Sequence, residues 1–303
     1  MLPVTGEEVE FDSDSCRLAG TFVAVPDPVA VALVLPGSGR ADRDSNVPRL
    51  PLGLTRDVAQ TLTGAGVATL RYDKRGIGAS GGEFLPTGFH QQLADARAAL
   101  AWLAARVPGV PVLVVGHSEG GLHAIELAAD GSAAGAVLLS TAARTGEEVL
   151  LWQGAQLVST LPRWLTTILR WTGIDPLVFQ RKRLARIEQS SADVLRIQGV
   201  RMNARWLREF AAYDPRPALA RISVPVLAIT GAHDMQVPPE GIDTMRQLVQ
   251  GPFEGHVPDD LSHLLRPDPD RIGPRGYRRA VRQPVSPEPL NLITDWITRY
   301  WHT

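Results

Sequence analysis

Cys16 is the only cysteine in this chain of 303 residues. One thiol cannot close an intrachain disulfide, so the fold does not depend on an oxidising compartment. No CxxC or Cys/His spacing surrounds it, so no metal site is expected, and Cys16 reads as a small buried hydrophobe. An excess of charge of one sign is also missing. The 31 basic and 32 acidic residues leave a net charge of −1. Such a chain has no global field to draw in nucleic acid or an anionic membrane. No apolar run approaches the ~18 residues of a spanning helix, so no membrane span is expected. Met1 to Glu8 contain neither a basic n-region nor an apolar h-region. The expectation is no secretory leader and a cytoplasmic location. Internal repeats and low-complexity tracts are absent too.

What is present fits a folded α/β protein: 44% hydrophobic and 21% charged residues, in a length that one core can use. Short apolar runs alternate with helical patterns, which predicts layers of helix around a mainly parallel sheet. Strands are expected over Glu7–Ser13, Leu18–Val25, Ala30–Leu35, Val67–Tyr72, Val112–Val115, Ala136–Ser140, Val224–Thr230 and near Pro252–His256. Helices are expected over Leu52–Thr63, His90–Arg106, Leu122–Ala129, Glu240–Val249 and Pro289–Trp301. Arg266–Pro289, rich in Pro, Arg and Asp, reads as a long ordered loop.

The alternation breaks over residues 145–216. That stretch is helical in pattern and reads as a cap inserted into a core of residues 1–144 and 217–303. It holds Trp152, Trp164, Trp171 and Trp206, four of the seven tryptophans, and eleven basic residues against seven acidic ones, Arg163, Arg170, Arg181 and Lys182 among the basic. A local basic surplus can attract an anionic substrate, but solvated helix faces account for it with fewer assumptions. One or two of the tryptophans are expected to line a pocket, and the others to pack.

The stretch richest in chemistry is Val112-Leu113-Val114-Val115-Gly116-His117-Ser118-Glu119-Gly120-Gly121, followed by a helix-favouring run. A buried strand stops at a serine between glycines and a helix begins at once. This is the strand–turn–helix context of a G-x-S-x-G nucleophile elbow, with Ser118 as the nucleophile. The plain alternative is an ordinary turn in which Ser118 caps the helix. A serine hydroxyl needs a base, and in this chain order the acid and then the histidine follow the nucleophile. Asp234 lies in the loop after the strand Val224–Thr230. Past the last strand the order leaves His256 and His263. His256 falls within a strand and His263 within a loop, which favours His263. Histidine suits the task because its ordinary pKa of ~6.5 lets it cycle near neutrality. Two backbone N–H donors are also needed for the oxyanion: Glu119, after the nucleophile, and Ser38 in the loop Pro36-Gly37-Ser38-Gly39.

Gly76-Ile77-Gly78-Ala79-Ser80-Gly81 spells G-x-G-x-x-G. It neither leaves a strand directly nor enters a helix, so a dinucleotide site is not expected. A surface loop braced by Asp73 and Arg75 is. No cofactor is called for.

Taken together, these segments resemble the α/β-hydrolase superfamily, and within it cytosolic bacterial serine esterases and serine aminopeptidase-like hydrolases. The resemblance rests on Pro36-Gly37-Ser38-Gly39 with Asp42-Arg43-Asp44, Arg71-Tyr72-Asp73-Lys74-Arg75-Gly76-Ile77-Gly78-Ala79-Ser80, Gly116-His117-Ser118-Glu119-Gly120, and the loops of Asp234 and His263. It implies an eight-stranded, mostly parallel sheet with flanking helices and an inserted helical cap. It also implies a Ser118/His263/Asp234 triad and ester hydrolysis through an acyl-enzyme, on a small-molecule ester of small to medium acyl group. One departure stands out: Pro36 occupies the place where many relatives have histidine. A peptidase or amidase could use the same machinery, and a non-catalytic binding protein could use the same fold.

Overall fold

The computed structural model describes residues 6–162, 164, 167, 171–172 and 175–302. Arg163 and Arg170 of the basic stretch, and Met1 to Thr5, lie outside the described residues.

Eight strands form one sheet in the order β1-β2-β4-β3-β5-β6-β9-β10. They are β1 (Glu7–Ser13), β2 (Cys16–Val23), β3 (Ala30–Leu35), β4 (Val67–Tyr72), β5 (Val112–His117), β6 (Gly135–Leu139), β9 (Val226–Ile229) and β10 (Phe253–His256). β1 pairs antiparallel with β2, and β2 antiparallel with β4. Every later neighbour is parallel. The inner strands read as unbroken apolar runs because both faces are covered. β3 shows how: Val31, Leu33 and Leu35 enter one core, while Ala30, Ala32 and Val34 enter the other.

The first core packs α2 (Phe89–Arg106) and α3 (Glu119–Ala129) on one face of the sheet. The second packs α1 (Leu54–Gly64) and the C-terminal α8 (Pro287–Trp301) on the other. α7 (Gly241–Leu248) joins the first layer through Ile242 and Met245. Trp296 of α8 is 1% exposed, a large apolar side chain that closes the second core.

Residues 145–216 are not purely helical, a correction to the pattern-based expectation. They contain α4 (Gly146–Ser159), α5 (Pro176–Glu188) and α6 (Ala204–Ala212), but also a two-stranded antiparallel hairpin, β7 (Val194–Ile197) and β8 (Val200–Asn203). Its two-residue turn places Gln198 at φ 50° and Gly199 at φ 82°. Positive φ at both central positions is the turn geometry that matches strand twist, and Gly199 supplies half of it without strain. Thr145 and Glu148 cap α4 reciprocally, and Asn203 caps α6. The expected loop at 266–289 also carries structure: a 3-10 turn over Gly273–Gly276 and a helical turn over Tyr277–Ala280. Among the described residues no helix is long and apolar enough to cross a membrane.

Candidate active site

All the predicted site residues converge at the carboxyl ends of the parallel strands, where loops rather than strand packing define the surface. Ser118 follows β5 directly, with φ 55° and ψ −117°. A non-glycine residue in that conformation is strained, and strain of this kind is held only where surrounding packing imposes it. The neighbouring glycines show the packing. A Cβ on Gly116 would lie 2.1 Å from the Gly120 carbonyl oxygen, and one on Gly120 would lie 2.5 Å from that of Leu35. Ser118 occupies the N-cap position of α3, yet its side chain makes no capping hydrogen bond. The plain alternative for this serine, a helix cap, is therefore not what its hydroxyl does.

Asp234 is fully buried in the loop after β9, and His263 is 4% exposed in the loop after β10. His263 Nδ1 donates to both carboxylate oxygens, at 2.8 Å and 3.1 Å. Asp234 Oδ1 also accepts the N–H groups of Gln236 and Val237, at 2.7 Å and 2.9 Å. The loop thus aims the carboxylate, and the carboxylate fixes the tautomer that leaves His263 Nε2 as an acceptor. No hydrogen bond joins Ser118 to His263 among the described residues; in empty sites such contacts are commonly long and tighten with substrate. His256 ends β10, paired in the sheet beside Ile229.

His117, the last residue of β5, reaches under the histidine loop. Its Nε2 donates to the His263 carbonyl oxygen at 2.8 Å, and the two rings lie 4.8 Å apart. Burial, with the nearby His263, lowers its pKa to about 3, so the ring stays a neutral strut under the histidine loop.

The loop after β3 lies against the elbow. A Cβ on Gly37 would sit 3.3 Å from Ser118 Cβ. Neither Ser38 N–H nor Glu119 N–H donates to another group among the described residues. Both amides remain open for an acceptor.

The loop after β4 reaches the surface as expected, with Gly78, Ala79, Gly81 and Gly82 exposed. Asp73 braces it by accepting the Ala79 N–H at 3.0 Å. Its base, Asp73-Lys74-Arg75, is buried, and each of those charges has a partner within the fold. Asp73 accepts from Arg43 N and Nη2 at 2.8 Å each. Arg75 forms a two-pronged pair with Asp95, at 2.8 Å and 2.6 Å. Lys74 Nζ donates to the Gly37 carbonyl oxygen at 2.7 Å and to Glu119 Oε2 at 2.9 Å. The other oxygen of Glu119 accepts from Trp206 Nε1 of α6. Burial pushes the Glu119 carboxyl up, but Lys74, His123 and the bond from Trp206 outweigh it and hold the group below the ordinary carboxylate value. Sequence reasoning missed this network, although a lysine two residues past a parallel strand at the loop-bearing edge was a usable signal. The G-x-G-x-x-G segment runs irregularly to α2, which removes the helix a dinucleotide would need.

A cavity of about 60 Å³ opens at Ser118, with Ser38, Leu122 and Gln236 in its wall. Val149, Leu150 and Gln153 of α4, and Trp206 and Phe210 of α6, line its other side. Trp206 stacks on Phe210 at 4.8 Å. Of the four tryptophans, Trp206 meets the cavity, whereas Trp164 and Trp171 are 66% and 92% exposed. Among the described residues no group of three His, Cys, Asp or Glu could hold a metal.

The model of the serine aminopeptidase S33 family matches residues 52–270, well over half of the chain. The chain belongs to that family. The match includes Ser118, Asp234 and His263, and leaves β1 to β3 and Ser38 outside it. The chain is also 24% identical over 274 residues to the esterase EstD of Thermotoga maritima. That alignment covers 90% of this chain but 63% of EstD, so the chain spans just under two thirds of that relative's length. Among solved structures, the ferulic acid complex of Est1E from Butyrivibrio proteoclasticus superposes with a TM-score of 0.65 at 19% identity, over 96% of this chain and 97% of that one. Proline iminopeptidase of Mycobacterium smegmatis gives a TM-score of 0.63 at 14% identity, over 97% and 98%. At such identities these likenesses speak for the fold, an α/β-hydrolase fold.

Proposed function

We propose that this family member is a serine hydrolase that cleaves carboxylic esters with small to medium acyl groups. One observation carries the reading: a buried, tautomer-fixed Asp234–His263 pair stands at the same sheet edge as a strained Ser118 whose hydroxyl caps nothing. In this reading Ser118 Oγ attacks the ester carbonyl while His263 Nε2 takes its proton. Asp234 orients the imidazole and stabilises its charged form without accepting the proton. The Ser38 and Glu119 amides hold the oxyanion, each worth ~2.7–4 kcal/mol of barrier in comparable sites. The tetrahedral intermediate collapses, His263 protonates the leaving alcohol, and water then cleaves the acyl-enzyme by the same route.

Residues 145–216 act as a cap in this scheme, supported by the five side chains through which α4 and α6 wall the cavity. A cytoplasmic setting belongs to the same reading, supported by the lone, buried thiol of Cys16.

The family's description and the iminopeptidase fold neighbour make amide cleavage the second reading. An aminopeptidase must hold its substrate's α-ammonium. Among the described residues that line the cavity, Glu119 is the one carboxylate, and Lys74 and Trp206 already occupy it. This favours the ester.

The test compares p-nitrophenyl esters from acetate to octanoate with aminoacyl-p-nitroanilides, using the wild type and Ser118→Ala. Turnover of short esters is expected to exceed that of anilides, and Ser118→Ala is expected to lose about 10⁴-fold or more in kcat. Faster anilide cleavage would overturn the ester preference. Substantial turnover by Ser118→Ala would overturn the mechanism.

A further inference from the structure

Lys74 is a buried cation beside the elbow that the reaction above leaves without a task. Its side chain is 7% exposed, too enclosed to steer a substrate from solvent. Its Nζ bridges two segments: the Gly37 carbonyl oxygen at 2.7 Å and Glu119 Oε2 at 2.9 Å. Those segments carry the two amides assigned to the oxyanion.

The Gly37 carbonyl and the Ser38 N–H are the two ends of one planar trans peptide unit, so they point in opposite directions. A donor fixed on the carbonyl therefore fixes the aim of the N–H. Gly37 gives the peptide broad freedom to rotate, and Gly39, at φ 81°, leaves the far side of the loop equally unconstrained by side-chain packing. Lys74 supplies the restraint that these glycines do not. Its own position is secured on both sides, by Asp73 with Arg43 and by Arg75 with Asp95. Glu119 cannot swing away from it either, because Trp206 holds its second oxygen.

We propose that Lys74 is a positioning residue for the oxyanion site: by holding the Gly37 carbonyl and the Glu119 side chain together, it aims Ser38 N–H at the point served by Glu119 N–H. The proposal rests on the reading of Ser38 and Glu119 as oxyanion donors.

The experiment uses Lys74→Met, Lys74→Met/Glu119→Gln and Lys74→Arg in the full chain, with p-nitrophenyl acetate as substrate. Lys74→Met leaves the Glu119 carboxylate buried and unpaired, so the double variant guards against failure to fold. Both Met-bearing variants are expected to lose about 10²-fold in kcat with KM changed less than about threefold. They should lose a similar factor in affinity for a trifluoromethyl ketone, which forms a tetrahedral oxyanion on the serine. Binding of the matching non-electrophilic alcohol should not change. Lys74→Arg, which keeps the donors, should recover at least tenfold of the lost kcat. A double variant with wild-type kcat would show that only the charge pair mattered, and would overturn the proposal. So would a loss confined to KM, a ketone affinity equal to that of the wild type, or an arginine variant no better than methionine. If Ser118→Ala abolishes turnover while these variants keep full ketone affinity, the hydrolase reading stands and only the role of Lys74 falls. If Ser118→Ala stays active, the underlying mechanism fails instead.

Discussion

Two runs of three consecutive charges in this molecule have opposite fates. Asp73-Lys74-Arg75 follows an inner strand, and all three side chains are buried and paired. Arg181-Lys182-Arg183 lies on α5, where Ile187 is the single buried residue and all three cations are exposed. The first run sits where the ends of β3, β4 and β5 and the start of α3 meet, so water is excluded and each charge needs a partner. The second faces solvent, which screens and hydrates it at little cost. A charge triplet has no function of its own; its surroundings assign one. In the buried triplet the charges tie neighbouring segments together: Asp73 to Arg43, Lys74 to Gly37 and Glu119, and Arg75 to Asp95. In the exposed one they are left to the solvent.

Three measurements can break or sharpen that contrast. The largest effect is expected from Asp95→Ala, which strands the buried Arg75 guanidinium. Urea unfolding should show a loss of about 3–5 kcal/mol, and a loss below about 1 kcal/mol would mean that the buried triplet is as weakly bound as the exposed one.

Next comes acid. Burial lowers the pKa of His117 to about 3 and that of His123 to about 4. Below an ordinary value of 6.5 the unfolded chain takes up protons on these residues while the folded chain does not. Their contribution is therefore complete above pH 6.5 and drains as the pH falls toward those folded values. At pH 5 each histidine should cost about 2 kcal/mol relative to pH 7, read as a falling unfolding free energy. A profile that stays level from pH 7 to pH 5 would mean that the region beneath the site is wet.

The smallest effect is expected from Arg181→Gln/Lys182→Gln/Arg183→Gln. Stability should change by less than about 0.5 kcal/mol, and kcat/KM for a neutral ester by less than about twofold. A large drop confined to anionic esters would instead give these three cations the substrate-attracting task set aside above.

Much of the site was legible because local rules suffice for it. A strand of Val112 to Val115, glycines at 116 and 120 and a helical run after Ser118 define an elbow without reference to the rest of the chain. Asp234 and His263 were legible from chain order and their places after strands, and the geometry joins them by a short hydrogen bond. The strands came out within a few residues of the expected ranges, since inner strands of a covered sheet are apolar throughout. Three contacts escaped for one reason. The His117 bond spans 146 residues, the Lys74–Glu119 pair 45 and the Trp206–Glu119 bond 87. No periodicity or spacing encodes such contacts. The hairpin at Gln198-Gly199 is a different kind of miss: its pairing is local, but its strands are only four residues each, Val194–Ile197 and Val200–Asn203, too short to stand out between helical runs.

The sequence by itself determined the layered α/β architecture, the nucleophile-like turn at Ser118 and the order in which its partners follow. These depend on neighbours along the chain: glycine permissiveness, apolar runs and turn chemistry. Only the tertiary structure decided which tryptophan meets the cavity, which charges are buried, and that one ammonium ties Gly37 to Glu119. Those outcomes depend on exclusion of water by segments far apart in the chain, and burial is a property of the packed molecule rather than of any residue within it.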